Sequence, residues 1–133
     1  KNNFNFSYSG LKTAIRTWLI KQNPETLSKN LPDIAASVQQ AIIEPLVNKT
    51  VLYAKQHKIP YILLAGGVAA NSALRRQLTE SAAKYGIKVF YPSLALCMDN
   101  AAMVAAAAIP KFLAGHFAPL SVNVSSLKGI RQV

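Results

Sequence analysis

Apolar and polar positions alternate at the start of the chain, where Phe4, Phe6 and Tyr8 are separated by Asn5 and Ser7. That spacing, with aromatic side chains on one face, predicts a strand, and Gly10 closes it. From Leu11 to Lys21 the spacing becomes that of a helix, with Ala14, Ile15, Trp18 and Leu19 on one side. Asn23-Pro24 predicts a break. A second helix is expected to open at Asp33 as its N-cap and to run to about His57. Its buried stripe would be Ile34, Val38, Ala41, Ile42 and Leu46, and Pro45 should kink it or remove a hydrogen bond. His57 to Pro60 then turns the chain into an apolar run, Tyr61 to Leu64, which reads as a short buried strand.

The next segment, Ala65-Gly66-Gly67-Val68-Ala69-Ala70-Asn71, leads into a helix expected from about Asn71 to Tyr85, with Gly86 as its C-cap. Ile87 to Tyr91 is a further strand, ended by Pro92. A last helix is expected from Asp99 to about Leu113, shortened or kinked at Pro110 and stopped by Gly115. The stretch from Pro119 to Val133 reads as a loose tail. Strands alternating with helices predict an α/β domain with a parallel or mixed sheet covered on its faces. In such sheets ligands sit at the carboxyl ends of the strands. The Gly66-Gly67 loop and the loop from Ser93 to Asp99 both lie at that edge, and they should face one cleft if their strands are neighbours.

Composition sharpens the class. With 133 residues, 51% of them hydrophobic, the chain is large enough to bury a core and is not a disordered segment. The alanine-rich stretch from Ala101 to Ile109 is too short and too weakly apolar to span a membrane, so no membrane partner is expected. A single cysteine, Cys97, excludes an internal disulfide framework and fits a reducing, cytoplasmic location. Fifteen Lys and Arg against five Asp and Glu give a net charge of +10, which favours an anionic partner, nucleic acid first. The lysines are spread along the chain, so the alternative is a solubilising basic surface. The first residue is Lys1 and the chain opens directly into a patterned segment, which suggests a piece of a longer polypeptide.

The candidate chemistry sits after the strands. Glycine lets a backbone approach a ligand without a Cβ clash, and a helix start offers free N–H groups and the positive end of a dipole. Gly66 and Gly67 therefore read as a phosphate or nucleotide loop, or else as a tight turn with no ligand. The loop is neither a Walker loop nor a dinucleotide fingerprint. Asn71 offers both donor and acceptor to a sugar or phosphate, or caps the following helix. Asp99 is either a carboxylate ligand for a divalent cation or an N-cap. Ser7, Ser9 and Lys12 read as a polar turn, with a place in the cleft as the alternative. Cys97 reads as a packed thiol in apolar surroundings, and His57 and His116 as surface or capping residues.

Four segments together carry a resemblance: Phe6 to Thr13, Asp33 to Ser37, Ala65 to Asn71 and Asp99 to Met103. In this order they resemble the universal tRNA threonylcarbamoyladenosine transferase family, formerly described as O-sialoglycoprotein endopeptidase or glycoprotease. The resemblance covers residues 1–115, matches the carboxy-terminal half of that enzyme, and leaves 116–133 as a tail. It implies the actin-like ATPase (ribonuclease H-like) fold, of which this chain would be the second lobe, with a mixed sheet flanked by helices. It implies transfer of a threonylcarbamoyl group from threonylcarbamoyl-AMP to N6 of the adenosine adjacent to the anticodon in tRNA. Gly66, Gly67 and Asn71 would then bind the adenylate. Asp99 would ligate one divalent metal, iron, together with two histidines of a His-x-x-x-His motif that this chain does not contain. On that reading the chain alone is expected to be inactive. A paralogous actin-like protein and a small ATPase are the implied partners. Two other readings stand beside it, a non-catalytic actin-like scaffold and the older metalloprotease. The second finds neither a His-Glu-x-x-His helix nor a nucleophile–base pair here.

Overall fold

The computed structural model describes residues 3–123, and the chain divides into two compact units, residues 1–98 and 99–133. The first unit begins with an irregular segment, not the expected strand. The aromatics of this segment are used against a helix instead of in a ladder. Phe4 meets Tyr53 edge-on at 5.0 Å, Tyr8 Oη donates to the Ile42 carbonyl at 2.7 Å, and Lys49 Nζ donates to the Asn5 carbonyl. Helix α1 follows from Leu11 to Ile20, close to the expected span. Its apolar face is only half-covered: Ile15 and Leu19 are partly buried, while Trp18 stays 48% exposed.

Helix α2 runs from Pro24 to Gln56, about 50 Å at the standard rise per residue. It starts nine residues before Asp33, so Asp33 is an interior residue and not the cap. The N-cap is Asn23, whose Oδ1 accepts from the Glu25 N–H at 2.8 Å, and Pro24 occupies the first helical position, where its missing N–H costs nothing. The dipeptide thus separates α1 from α2, as expected, and also starts α2. Pro32 and Pro45 lie inside the helix. The carbonyls they leave without a donor belong to Ser28 and Ala41, both exposed residues that water can reach. The fully buried stripe is Ile43, Val47, Val51 and Ala54, one position round from the expected one; Ile34, Val38, Ile42 and Leu46 are half-buried and Ala41 is exposed.

Strands β1 (Tyr61–Leu63) and β2 (Lys88–Phe90) are joined through helix α3 (Ser72–Ala83) and pair in parallel, with Ile62 opposite Val89. A helical crossover is what parallel neighbours require. The core lies between this ribbon and the two helices. Ile43, Val47, Val51 and Ala54 of α2 meet Leu74, Leu78 and Ala82 of α3, with Ile62 of β1 and Ile87 just before β2. One face of the sheet is therefore covered, while Tyr61, Leu63 and Phe90 on the other stay exposed.

The second unit holds helix α4, Ala101–Leu113, with Pro110 in its last turn and Gly115 in the left-handed region (φ 68°) after it. Asn100, not Asp99, is its N-cap: Asn100 Oδ1 accepts from the Met103 N–H at 2.8 Å. Of the expected loose tail, residues 119–123 are irregular apart from a turn closed by the Val122 N–H on the Pro119 carbonyl, and 124–133 lie outside the described residues. Among the described residues no helix is long and apolar enough to cross a membrane.

Candidate functional site

The glycine loop leaves the carboxyl end of β1 as expected. Gly66 adopts φ 87° and ψ 171°, a combination open essentially to glycine alone. Gly67 then starts a single tight turn, Gly67–Ala70, held by the Ala69 N–H on the Gly66 carbonyl at 2.9 Å. Gly67 has no positive φ, and a methyl group built on either glycine meets nothing within 4 Å. Gly66 is therefore demanded by the backbone. Gly67 is not, and the space beside its Cα is open, as it is at Gly66.

Asn71 ends this turn and caps α3. Its Oδ1 accepts from the Leu74 N–H at 2.9 Å, and its Nδ2 donates to Gln39 Oε1 of α2 at 2.9 Å. The capping reading is thus shown. It does not exhaust the side chain, because a carboxamide keeps a second N–H and a second lone pair. Gln39 fixes which way that second N–H points.

The second loop leaves the carboxyl end of β2, and because the strands are neighbours both loops rise from one sheet edge. The two are tied by Arg75, in the second turn of α3. Its Nε donates to the Ala69 carbonyl of the first loop, and its Nη2 donates to the Pro92 carbonyl (2.9 Å) and Cys97 Sγ (3.0 Å) of the second. The guanidinium lies 4.5 Å from the centre of the Tyr91 ring. Cys97 is buried, and its thiol donates to the Ser93 carbonyl at 3.4 Å. Its surroundings are therefore a guanidinium and carbonyls as well as apolar groups, which corrects the purely apolar reading.

Neither Arg75 nor Gln39 stood out in the sequence. Arg75 carried no local signal, because its partners on the second loop are 17 and 22 residues away. Gln39 carried none, because its partner is 32 residues away.

The remaining expected residues fall elsewhere. Ser7, Ser9 and Lys12 are exposed, and Lys12 lines a shallow cavity of about 370 Å³ with Tyr8, Leu11, Ile15 and Ile42, away from the glycine loop. His57 is the C-cap of α2, with its ring against Tyr53 at 4.2 Å, and His116 is exposed beyond the end of α4. Asp99 is exposed and begins the second unit, whereas Gly66, Gly67 and Asn71 belong to the first. No group of three His, Cys, Asp or Glu side chains able to hold a metal exists among the described residues. The donor set present, one exposed carboxylate, does not fit a metal centre by itself.

Comparison with known proteins decides the family. The sequence model of tRNA N6-adenosine threonylcarbamoyltransferase (TsaD) matches residues 1–106. The chain belongs to the tRNA N6-adenosine threonylcarbamoyltransferase family. Relatives of that name include one from Gloeothece citriformis, 44% identical over 98% of this chain and 38% of its own length. Another, from Moorella thermoacetica, is 47% identical over 92% of the chain and 36% of its own length. A third, from Chlorobaculum tepidum, is 50% identical over 79% of the chain and 30% of its own length. The chain thus spans about a third of the length of the curated relatives it matches. Both loops, Asn71, Arg75 and Gln39 all fall inside the segment matched to the transferase family.

Proposed function

We propose that this chain forms the adenylate-facing part of a transferase that moves a threonylcarbamoyl group from threonylcarbamoyl-AMP to N6 of the adenosine adjacent to the anticodon in tRNA. The observation that carries the reading is the single edge from which the Gly66-Gly67 loop and the Tyr91–Cys97 loop both rise, within residues matched to the family. The open backbone face at Gly67 receives the phosphate, helped by the positive end of α3. Asn71 offers its spare N–H to the adenylate ribose or phosphate, held in place by Gln39. These residues bind and orient the donor so that its acyl carbon is presented to the incoming amine, which is catalysis by positioning.

The fold that accompanies this reading is the second lobe of an actin-like architecture, with the first lobe supplying the other wall of the pocket. Asp99 is proposed as one ligand of a metal, iron, whose remaining ligands are histidines outside this chain. The described residues do not complete such a site, and no step is derived through it. The net charge of +10 suits a polyanion, and tRNA is the polyanion that the relatives' name supplies. A paralogous actin-like protein and a small ATPase are the proposed companions.

The test is a chimera in which this chain replaces the matching segment of the Moorella thermoacetica relative. Given threonylcarbamoyl-AMP labelled in its threonine, together with unmodified tRNA, the chimera should transfer label to tRNA. A folded chimera that binds adenylate but labels no tRNA contradicts the reading.

A further inference from the structure

Arg75 uses three N–H groups to reach two different loops. Its Nε donates to the last turn of the glycine loop at the Ala69 carbonyl. Its Nη2 donates to the Pro92 carbonyl and Cys97 Sγ. The Tyr91 ring packs on its plane at 4.5 Å. All of these partners lie within the first unit. The five-residue loop Gly66–Ala70 and the seven-residue loop Tyr91–Cys97 bury only Ala69 and Cys97, so a rigid fork that bridges them sets their separation. Charge-assisted hydrogen bonds are the strong members of their class, and the planar fork loses little freedom in making them. A lysine at this position keeps the charge but cannot reproduce the planar fork.

We infer that Arg75 is a positioning residue: it clamps the Gly66–Ala70 loop to the Tyr91–Cys97 loop and so fixes the width of the adenylate cleft without touching the ligand. The inference rests on the function proposed above for that cleft. It gives Cys97 a part as well, as the buried acceptor that reports whether the clamp is closed, since its Sγ is covered by the Arg75 guanidinium.

Two variants of the full 133-residue chain test it, Arg75→Met, which keeps a similar unbranched stem without the fork, and Arg75→Lys, which keeps the charge. The rate at which Cys97 reacts with 5,5′-dithiobis(2-nitrobenzoate) reads the clamp directly, with no nucleotide present. It should rise by about tenfold or more in both variants. Affinities for AMP and for adenosine, measured where each protein is fully folded, read the cleft. A clamp predicts that both ligands weaken by the same factor, about tenfold, and that lysine does not rescue. A loss confined to AMP, with rescue by lysine, would show a direct phosphate contact and overturn the inference. An unchanged Cys97 rate in both variants would overturn it too. If the unaltered chain binds neither AMP nor adenosine, the proposed function of the cleft fails, and the Cys97 rates still decide the clamp.

Discussion

Asn71 Nδ2 lies 2.9 Å from Gln39 Oε1, so the residue that caps α3 is also anchored to the middle of α2. The anchor fixes the amide: with Oδ1 turned to the Leu74 N–H, Nδ2 must face Gln39, and the second N–H has one direction left. The cap and the proposed ligand contact are therefore separate functions of one side chain, and different substitutions separate them.

Asn71→Ser keeps an acceptor for the cap but removes the amide N–H groups. It should leave stability within about 0.5 kcal/mol and weaken AMP binding by about tenfold. Asn71→Ala should lose both, with about 1 kcal/mol of stability gone. Thermal melting and calorimetric titration check the pair. Equal AMP affinity in the serine variant and the unaltered chain would leave Asn71 as a cap alone.

The two glycines make a second contrast. Gly66→Ala forces a side chain into a backbone conformation reserved for glycine and should cost about 1 to 3 kcal/mol in chemical denaturation. Gly67→Ala meets neither strain nor a neighbour, so stability should change by no more than about 0.5 kcal/mol. If the ligand uses that open face, AMP affinity in Gly67→Ala nevertheless falls by about tenfold or more.

Much of this edge was legible in the sequence, because strand ends, glycines and a capping residue are local signals. β1, α3, β2 and α4 occur within two residues of their expected bounds. What failed depended on partners distant in the chain. The alternation of Phe4, Phe6 and Tyr8 reads as a strand, yet these residues lie along α2, where Tyr53, Lys49 and Ile42 respectively receive them. Asn23-Pro24 separates α1 from α2 as expected, but it also caps α2, whose start was expected at Asp33. Asp99 and Asn100 compete for one cap, and no spacing rule separates adjacent candidates. The Arg75 bridge spans 22 residues to Cys97, beyond any local pattern.

Asp99 and Asn100 divide their tasks in a way that can be measured. Because Asn100 holds the cap, Asp99→Ala should leave α4 and the melting temperature unchanged, while Asn100→Ala should cost about 1 kcal/mol. In the chimera with the Moorella relative, Asp99→Ala should lower the iron bound per protein, read by plasma mass spectrometry. Equal iron content in the two proteins removes Asp99 from the proposed ligand set.

Tyr8 sets a pH limit on the packing of the first segment. Desolvation by burial raises its pKa above the ordinary 10.0, and the neutral hydroxyl donates to the Ile42 carbonyl. Because the folded value lies above the unfolded one, the stabilisation is fully present below pH 10.0 and is lost as pH rises through the folded pKa. Tyr8→Phe should therefore be slightly less stable than the unaltered chain at neutral pH, by under about 1 kcal/mol, since the bond is solvent-exposed. The gap should narrow above pH 10.0 in urea titrations at stepped pH.

The central claim is that the edge formed by the glycine loop and Asn71 receives an adenylate. A titration of the ¹⁵N-labelled chain with AMP, followed by amide chemical shifts, tests it most directly. Saturable shifts concentrated at Gly66, Gly67, Val68, Asn71 and the Asn71 side-chain amide are the predicted result. Shifts confined to other surfaces, or none at these residues at millimolar AMP, would contradict it.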